Sequence, residues 1–579
     1  MSSSPESPKA YQPSDEPARL QTSEFGTTRS RTKLKSVDPV PINPEDEEAA
    51  PLLGHQPLDP GDPRVSPLNL HNVKLLKQIN RTLIIVNSIV ALLTFLSDFI
   101  NIPGFFNPGR SFYELVIILL TVLTNAVCLW RFDVPSSYER KVGYTQAVLL
   151  SIDLVVILTV PALRDSMALL GTFLTLWLLL NVTFDAVCNY YVEQGRNYQE
   201  IRLTGRIETR RSIGELLVIF VKSVAKSSLF LLVFFISWRI WLMAFDTHER
   251  PWGDKVSVQD GQLKVHVACF GDVYNENVAI SESDPKNSSD RQPILLIEGG
   301  QLTSSEVFQE WIEELYNLDQ IERYCIWDRP GYAFSDSAPS PTSIGIVVEY
   351  LIEALDHLGV HGPFSLVGFD IGGLYSRMFA SRKPGQIHSI MLVDAWSEDL
   401  LKNNPFSGPN RKNEPKKVFK NILETMNNLT GLKLWLKGMV SPLGLVQAFH
   451  WLFHPRRFSS KSRIFGSDMY WNSKYIRARL QEQLTSGILS YNEVKGADIH
   501  NLPLAVISSD FMIKNSLNWG KWQRELTKLS TNCIEWVIAE NSNHFIWESP
   551  KGRKQMQELL LQLVSNKKKY DTVAESYKV

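Results

Sequence analysis

Five apolar segments in succession, 83–102, 112–130, 144–163, 167–190 and 227–245, constrain this chain more than any other feature. Each is near the ~20 residues an α-helix needs to cross a bilayer core. Buried helices of a water-soluble domain would alternate apolar and polar faces, and these runs show almost no such alternation. The expectation is an all-α transmembrane bundle of about five helices within residues 73–250. Basic residues in the short flanks set its orientation. Lys74, Lys77 and Arg81 precede the first segment, Arg131, Arg140 and Lys141 follow the second, and Arg196, Arg202, Arg206, Arg210 and Arg211 follow the fourth. The other two loops offer only Arg110 and Arg164. This bias puts the N-terminus in the cytosol. An odd number of spans then puts everything beyond Phe245 on the far side, lumenal or exterior. Asn87, Asp153, Asn181, Asp185 and Arg239 fall inside the spans, where charge is costly and marks function by default. Being few and without a repeat, they read as an internal Asp–Arg pairing that holds the bundle together; a transport path is the weaker reading.

Residues 1–72 are rich in Ser, Pro, Glu and Asp and poor in aromatics, the composition of a disordered cytosolic tail. No apolar core near Met1 suggests a secretory signal, and the frequent acidic residues argue against a mitochondrial presequence. Glu48-Ala49-Ala50-Pro51-Leu52-Leu53 matches the acidic dileucine pattern that sorting adaptors read, so Glu48, Leu52 and Leu53 point to an endomembrane or vacuolar destination. A net charge of −1 gives no reason to expect a nucleic-acid partner. Five cysteines are too few for a disulfide framework. Cys128 and Cys188 sit in apolar segments as packing residues, whereas Cys269, Cys325 and Cys533 fall on expected strands and leave room for one disulfide of unassigned pairing. Asn287 and Asn428 head N-x-S/T sequons and are glycosylation candidates, in keeping with a lumenal side. Residues 566–579 form a flexible tail.

Residues 251–565 change character. A hairpin with an Asp260-Gly261 turn opens the region, and short apolar strands then alternate with helical patterns. That alternation argues a mostly parallel sheet with helices on both faces, and reactive residues collecting beyond the carboxyl ends of its strands. The central stretch is Leu366-Val367-Gly368-Phe369-Asp370-Ile371-Gly372-Gly373, between an apolar strand and a helical run. The order is strand, glycine-flanked turn, helix. It lifts one side chain above a sheet, and here that side chain is a carboxylate within G-x-D-x-G.

Four features together resemble the α/β-hydrolase superfamily: Asp328-Arg329-Pro330-Gly331 with Ser335 after one strand, the elbow at Asp370, an acid after the next-to-last strand, and a histidine after the last. The resemblance covers a little over half the chain. It implies an α/β-hydrolase domain with a helical cap at about 402–489, preceded by the transmembrane bundle. Carried over by position, it makes Asp370 the nucleophile, Asp510 the acid and His544 the base, with Asp394 as the alternative acid. The backbone N–H groups of Gly300 and Ile371 would form the oxyanion site. Asp at the elbow is similar to the epoxide hydrolase and haloalkane dehalogenase branch. The Trp that usually follows the nucleophile is Ile371 here, and the halide-holding position is Gly300, which argues against dehalogenation. Glu298-Gly299 replaces the usual His-Gly. Tyr470, Tyr475 and Tyr491 in the cap are the candidate proton donors for an opening epoxide. No metal or cofactor is called for.

Between Lys402 and Arg463 basic residues outnumber acidic ones and interleave with Leu432, Leu434, Trp435, Leu436, Met439, Phe449, Trp451, Leu452 and Phe453. An ordinary helical cap with a basic face accounts for this make-up, and so does a segment lying in a bilayer interface that admits a lipid-like substrate. The sequence thus reads as a membrane-anchored hydrolase acting on an apolar, epoxide-like electrophile through an Asp370 ester. The alternatives are an ester or amide hydrolase with Asp370 as general base, and a non-catalytic receptor or scaffold that keeps the fold.

Overall fold

The computed structural model describes residues 62–109, 111–207, 210–274, 292–402, 430–516 and 518–565, together with Leu58. These lie in one compact unit. The sorting residues Glu48, Leu52 and Leu53, the sequons at Asn287 and Asn428, most of the N-terminal tail and the whole C-terminal tail fall outside the described residues. Residues 62–72, expected within the disordered tail, instead form two short 3-10 turns at Pro63–Val65 and Pro67–Asn69 that lead into a helix from His71, with Val65 and Pro67 buried.

The membrane region comprises α1 (His71–Ser97), α2 (Tyr113–Leu129), α3 (Ser137–Thr159), α4 (Pro161–Thr204) and α5 (Ile213–Asp246). Four of these are long and apolar enough to cross a membrane. The second is not: α2 has 17 residues, about 25 Å of helix. Its side chains are largely buried among its neighbours, with Ile117 and Ile118 fully enclosed. The boundary expected at 163–167 is also displaced. Only Val160 separates α3 from α4, and the break falls inside α4, at Ala168 with φ 50°.

The polar residues of the bundle are only partly paired within it, and not by the expected Asp–Arg pairing. Among the described residues, Asn80 is buried with neither side-chain atom hydrogen-bonded, and one oxygen each of Asp153 and Asp185 has no partner. Lys226 lies 3.4 Å from Asp185, and Lys222 lies 2.9 Å from Glu139. Both lysines belong to α5, which starts well before the apolar run at 227 and so carries them into the bundle. Asn125 donates to Asn181 at 2.8 Å, and Trp177 to Asn87 at 2.7 Å. Ser237 donates to Asp153, and Arg239 reaches Asn472 in the following domain.

The second region holds one eight-stranded sheet: β1 (Asp254–Val258), β2 (Leu263–Phe270), β3 (Ile294–Glu298), β4 (Tyr324–Trp327), β5 (Phe364–Phe369), β6 (Ile387–Val393), β7 (Leu504–Ser509) and β8 (Cys533–Ala539). The order across the sheet is β1-β2-β4-β3-β5-β6-β7-β8. Only β2 runs against its neighbours; from β4 to β8 every pairing is parallel. This is the α/β-hydrolase arrangement that the resemblance implied. Every residue of β3, β4, β5 and β7 is buried, as a sheet covered on both faces requires. Helices α6 (Ile344–Leu358) and α7 (Gly372–Arg382) pack on one face. Between β6 and β7 come α8 (Thr430–Val440), α9 (Leu445–Phe453) and α10 (Ser473–Thr485). After β7 comes α11 (Trp519–Leu526), and α12 (Pro550–Val564) covers the other face with Trp311. Cys269 and Cys325, directly opposite each other on β2 and β4, form a disulfide. Cys533 is free.

Candidate active site

The sheet delivers Asp370 from the end of β5 into the turn before α7. Its φ is 53°, in the left-handed region, which costs a non-glycine residue roughly 1–2 kcal/mol. The turn is tight on both sides. A Cβ at Gly368 would lie 2.7 Å from the Cα of Gly373. One at Gly300 would lie 2.6 Å from the Phe369 ring and 3.0 Å from Asp370 Cβ. The backbone on either side is fixed as well: Asp370 N–H donates to Val393 O, and Asp370 O accepts from Trp396 N–H at 2.9 Å. The carboxylate is buried and aimed at His544.

His544, after β8, lies between two carboxylates. Its Nε2 is 3.4 Å from Asp370 Oδ1, and its Nδ1 is 2.6 Å from Asp394 Oδ2. Asp394 ends β6, has no exposed surface, and accepts at Oδ1 from Ser509 N–H at 3.0 Å and Trp519 Nε1 at 2.7 Å. The expectation that Asp510 is the acid is therefore corrected to Asp394, the alternative. Asp510 does follow β7, but Ser509 faces inward and caps the short helix that Asp510 begins. Asp510 turns outward, to Lys514 Nζ at 2.7 Å and Asn541 N–H at 3.2 Å.

The electrostatics follow from that layout. Burial opposes charge on Asp370, but His544 and the backbone N–H groups of Gln301 and Ile371 outweigh it and hold the carboxyl below its usual range. Burial pushes Asp394 up, against the hold of His544, Ser509 and Trp519. For His544, burial is overcome by the two aspartates, which raise its pKa to about 10. At neutral pH the centre rests as an imidazolium between two acids.

The backbone donor opposite His544 is one residue further along than expected. Gln301 N–H, rather than Gly300 N–H, reaches Asp370 Oδ2, at 2.8 Å. Ile371 N–H serves the same carboxylate from the other side. The cause is a clamp on the loop's carbonyls. Arg329 donates to Gly299 O at 2.5 Å and to Gly300 O at 2.7 Å. Tyr475 donates to Gln301 O at 2.8 Å, and Tyr470 to Leu302 O. Four consecutive carbonyls are thus held by side chains. Two of the three expected proton donors, Tyr470 and Tyr475, turn out to be fasteners of this loop. The third, Tyr491, lies elsewhere, its ring 3.2 Å beneath Lys402 Nζ. Arg329 lies in the Asp328-Arg329-Pro330-Gly331 run, where sequence alone assigns it no role.

A cavity of about 30 Å³ adjoins the elbow. Ile371 and Tyr375 form one side of it, and Arg329, Lys474, Arg477 and Glu482 contribute its charge. Glu482, on α10, accepts from the Gln301 side chain at 3.0 Å and from Tyr332 at 3.0 Å. Burial raises its pKa against the pull of Arg329 and Arg479. Glu298, in place of the family's usual histidine, is fully buried; burial raises it to about 8 against the pull of Arg329 and Trp327. Among the described residues His266, Glu306 and Asp328 also have the composition of a metal site. Their donor atoms face one another, with His266 Nδ1 2.7 Å from Asp328 Oδ2.

Residues 292–549 match the family model described as alpha/beta hydrolase fold, and residues 30–269 match one described as a region of unknown function. An uncharacterized vacuolar membrane protein of Saccharomyces cerevisiae is 30% identical over 86% of this chain and 87% of its own length. An uncharacterized protein of Schizosaccharomyces pombe is 27% identical over 81% of this chain and 87% of its own. Among solved structures, an esterase from Exiguobacterium antarcticum matches 54% of this chain and 99% of its own, with 16% identity and a TM-score of 0.35.

Proposed function

The chain belongs to the family of that vacuolar membrane protein of S. cerevisiae, as a hydrolase of the α/β fold joined to a membrane region, and we propose that it hydrolyses an electrophilic, epoxide-like substrate through an ester on Asp370. The observation that carries this reading is the line Asp370–His544–Asp394, with the elbow residue in a left-handed turn and the Gln301 N–H on its second oxygen. In the first step Asp370 Oδ1 attacks the electrophilic carbon, and the carbon–oxygen bond of the ring breaks. Tyr470 and Tyr475 are bound to carbonyls, so the leaving oxygen takes its proton from Glu482, whose burial favours the protonated form. Esterification neutralises Asp370. His544 then keeps only Asp394, its pKa falls, and it gives up to solvent the proton that it regains once Asp370 is ionised again; the neutral imidazole can then accept a proton from water. The hydroxide adds to the ester carbonyl of Asp370, and the oxyanion is held by the N–H groups of Gln301 and Ile371. Collapse releases the diol, whose alkoxide takes the proton from His544, and the carboxyl proton of Asp370 returns through solvent to Glu482.

We also propose that the domain faces the lumen of a vacuolar or related membrane, which requires the 17-residue α2 to cross the bilayer with the four longer helices. Support comes from the basic flanks of the helices, the vacuolar membrane relative and the Cys269–Cys325 disulfide, which suits an oxidising compartment. The test of the chemistry is turnover of a panel of epoxides, haloalkanes and esters by the purified protein beside Asp370→Ala. A single turnover in ¹⁸O-water should then leave label in the Asp370 peptide. Turnover without label in Asp370 would refute the ester and favour Asp370 as a general base. Absence of any turnover by folded protein would favour a binding role.

A further inference from the structure

The cap carries a large apolar face that no described residue covers. On α9, Phe449, Leu452 and Phe453 are 50%, 63% and 61% exposed, and Leu445 and Trp451 are exposed beside them. On α8, Leu432, Leu436 and Val440 are exposed as well. Water-soluble surfaces rarely gather so many large apolar side chains. We propose that α8 and α9 lie in the lipid leaflet on the hydrolase side of the bundle, with phospholipid acyl chains as the occupant of this face.

The position of the two helices selects lipid over any other cover. They are continuous with the membrane bundle. The Trp451 ring lies 5.4 Å from that of Trp238 on α5, and the Trp435 ring 5.6 Å from that of Phe95 on α1. Gly438 comes so close to Phe112, just ahead of α2, that a Cβ would meet its ring at 2.5 Å. Gly444 has the same relation to Arg239 on α5, at 3.2 Å. Depth can be read along α5. Its 34 residues span about 50 Å, against a hydrocarbon core of ~30 Å, so roughly 10 Å emerges at each end. Trp238 lies about 12 Å before the end of α5 at Asp246. Its contact with Trp451 therefore sets α9 at the boundary between acyl chains and headgroups, where amphipathic interfacial helices lie. Trp is the residue type suited to that boundary. The charge pattern agrees. The chain leaving α9 carries Arg456, Arg457 and Lys461, all exposed, within reach of lipid phosphates. On the other side α8 packs its Leu434, Trp435 and Met439 against the cap.

The test uses the full-length protein reconstituted in phospholipid nanodiscs. Cys128, Cys188 and Cys533 are replaced by alanine, leaving the Cys269–Cys325 disulfide intact. Nitroxide labels are placed singly at Leu452→Cys, Phe453→Cys and, as an aqueous control, Lys514→Cys, whose native side chain is 70% exposed. Labels at 452 and 453 should collide with oxygen several-fold more than with a water-soluble nickel chelate, with the opposite ratio at 514. Chelate access at 452 and 453 equal to that at 514 would overturn the proposal. So would spin–spin broadening between labels at 453, which would assign the face to a second copy of the chain. A cysteine-free route keeps the question answerable if a variant misfolds. Diazirine-bearing phospholipids photolysed with the unmodified protein should label the peptide containing 445–453, and labelling confined to α1–α5 would refute the placement.

Discussion

Replacing Asp370 by Asn imitates the charge of the esterified state in a protein that cannot form the ester, and so tests the electrostatic step on which turnover depends. In the resting protein His544 is raised from an ordinary 6.5 to about 10 by Asp370 and Asp394. A group raised on folding stabilises the fold fully below its unfolded pKa, and that stability is lost as pH climbs through the folded value. The window is therefore pH 6.5 to 10. At ~1.4 kcal/mol per tenfold change in proton affinity, the whole effect is at most about 5 kcal/mol. A fifth of the His544 side chain remains open to solvent, and two carboxylates share the effect. The Asp370 share is then about 1–2 kcal/mol, or roughly 1.5–3 °C in Tm for a domain of this size. The assay is thermal unfolding of full-length protein in detergent, followed by tryptophan fluorescence from pH 6 to pH 10.5, for wild type and Asp370→Asn. At pH 6 the variant should melt lower by that amount, and the gap should close by pH 10.5 as His544 loses its proton in both proteins. Groups that titrate alike in the two proteins cancel in the difference. A gap that stays constant across the range would show that Asp370 does not hold the proton on His544. The fall in His544 basicity on esterification would then have no basis.

Asp394→Asn should lower turnover of any substrate by about 10²–10⁴-fold, whereas Asp510→Asn, at a site bonded to Lys514, should change it less than twofold; equal losses in kcat would return Asp510 to the site. Arg329→Lys keeps the charge but cannot fork onto Gly299 O and Gly300 O. It should lower kcat more than it raises KM, because the loop whose N–H groups hold the oxyanion loses its register, and steady-state kinetics would separate the two parameters. Glu139→Gln leaves Lys222 buried beside a neutral partner and should destabilise the bundle by about 3–5 kcal/mol, read as a lower Tm in detergent; the double variant Glu139→Gln with Lys222→Met should recover most of the loss.

The strands and the elbow were legible because a two-sided sheet leaves a plain mark. β3, β4, β5 and β7 are short, mostly apolar runs followed by glycine or by a charged residue, and the elbow's glycines follow from crowding that a Cβ could not survive. The choice between Asp394 and Asp510 was not legible. Both follow a strand, and both begin a turn. What separates them is the Trp519 side chain and the Ser509 N–H, which reach Asp394 only once β6 and β7 are paired. The same holds for Tyr470 and Tyr475. Their presence in the cap could be read, but their hydroxyls are fixed by carbonyls of a loop far away in sequence. In the bundle, the lysines that neutralise Glu139 and Asp185 were hidden because a hydropathy window starts α5 at 227 and leaves Lys222 and Lys226 outside it. Pairing with buried carboxylates admits them to the helix interior.

One helix joins these observations. On α10, Arg477 and Gln481 are one turn apart and face the end of α1. Arg477 lies 3.4 Å from Asp98 and donates to Ser97 O at 3.0 Å, and Gln481 donates to Asp98 O at 2.7 Å. Tyr475 and Glu482, two turns apart on another stripe of α10, face the oxyanion loop and bond the backbone and side chain of Gln301. Gln301 N–H in turn rests on Asp370. The chain of contacts from the end of a membrane helix to the elbow carboxylate therefore runs through a single rigid helix and one loop. A hydrolase domain cut away after Thr247 would keep its sheet and its Asp370–His544–Asp394 line, but Gln481 would lose Asp98 O and Arg477 would keep only Ser340, its guanidinium left facing water where Asp98 had been. The membrane bundle is in this sense part of the ceiling of the site, which gives its polar joints to the hydrolase domain a purpose beyond anchoring.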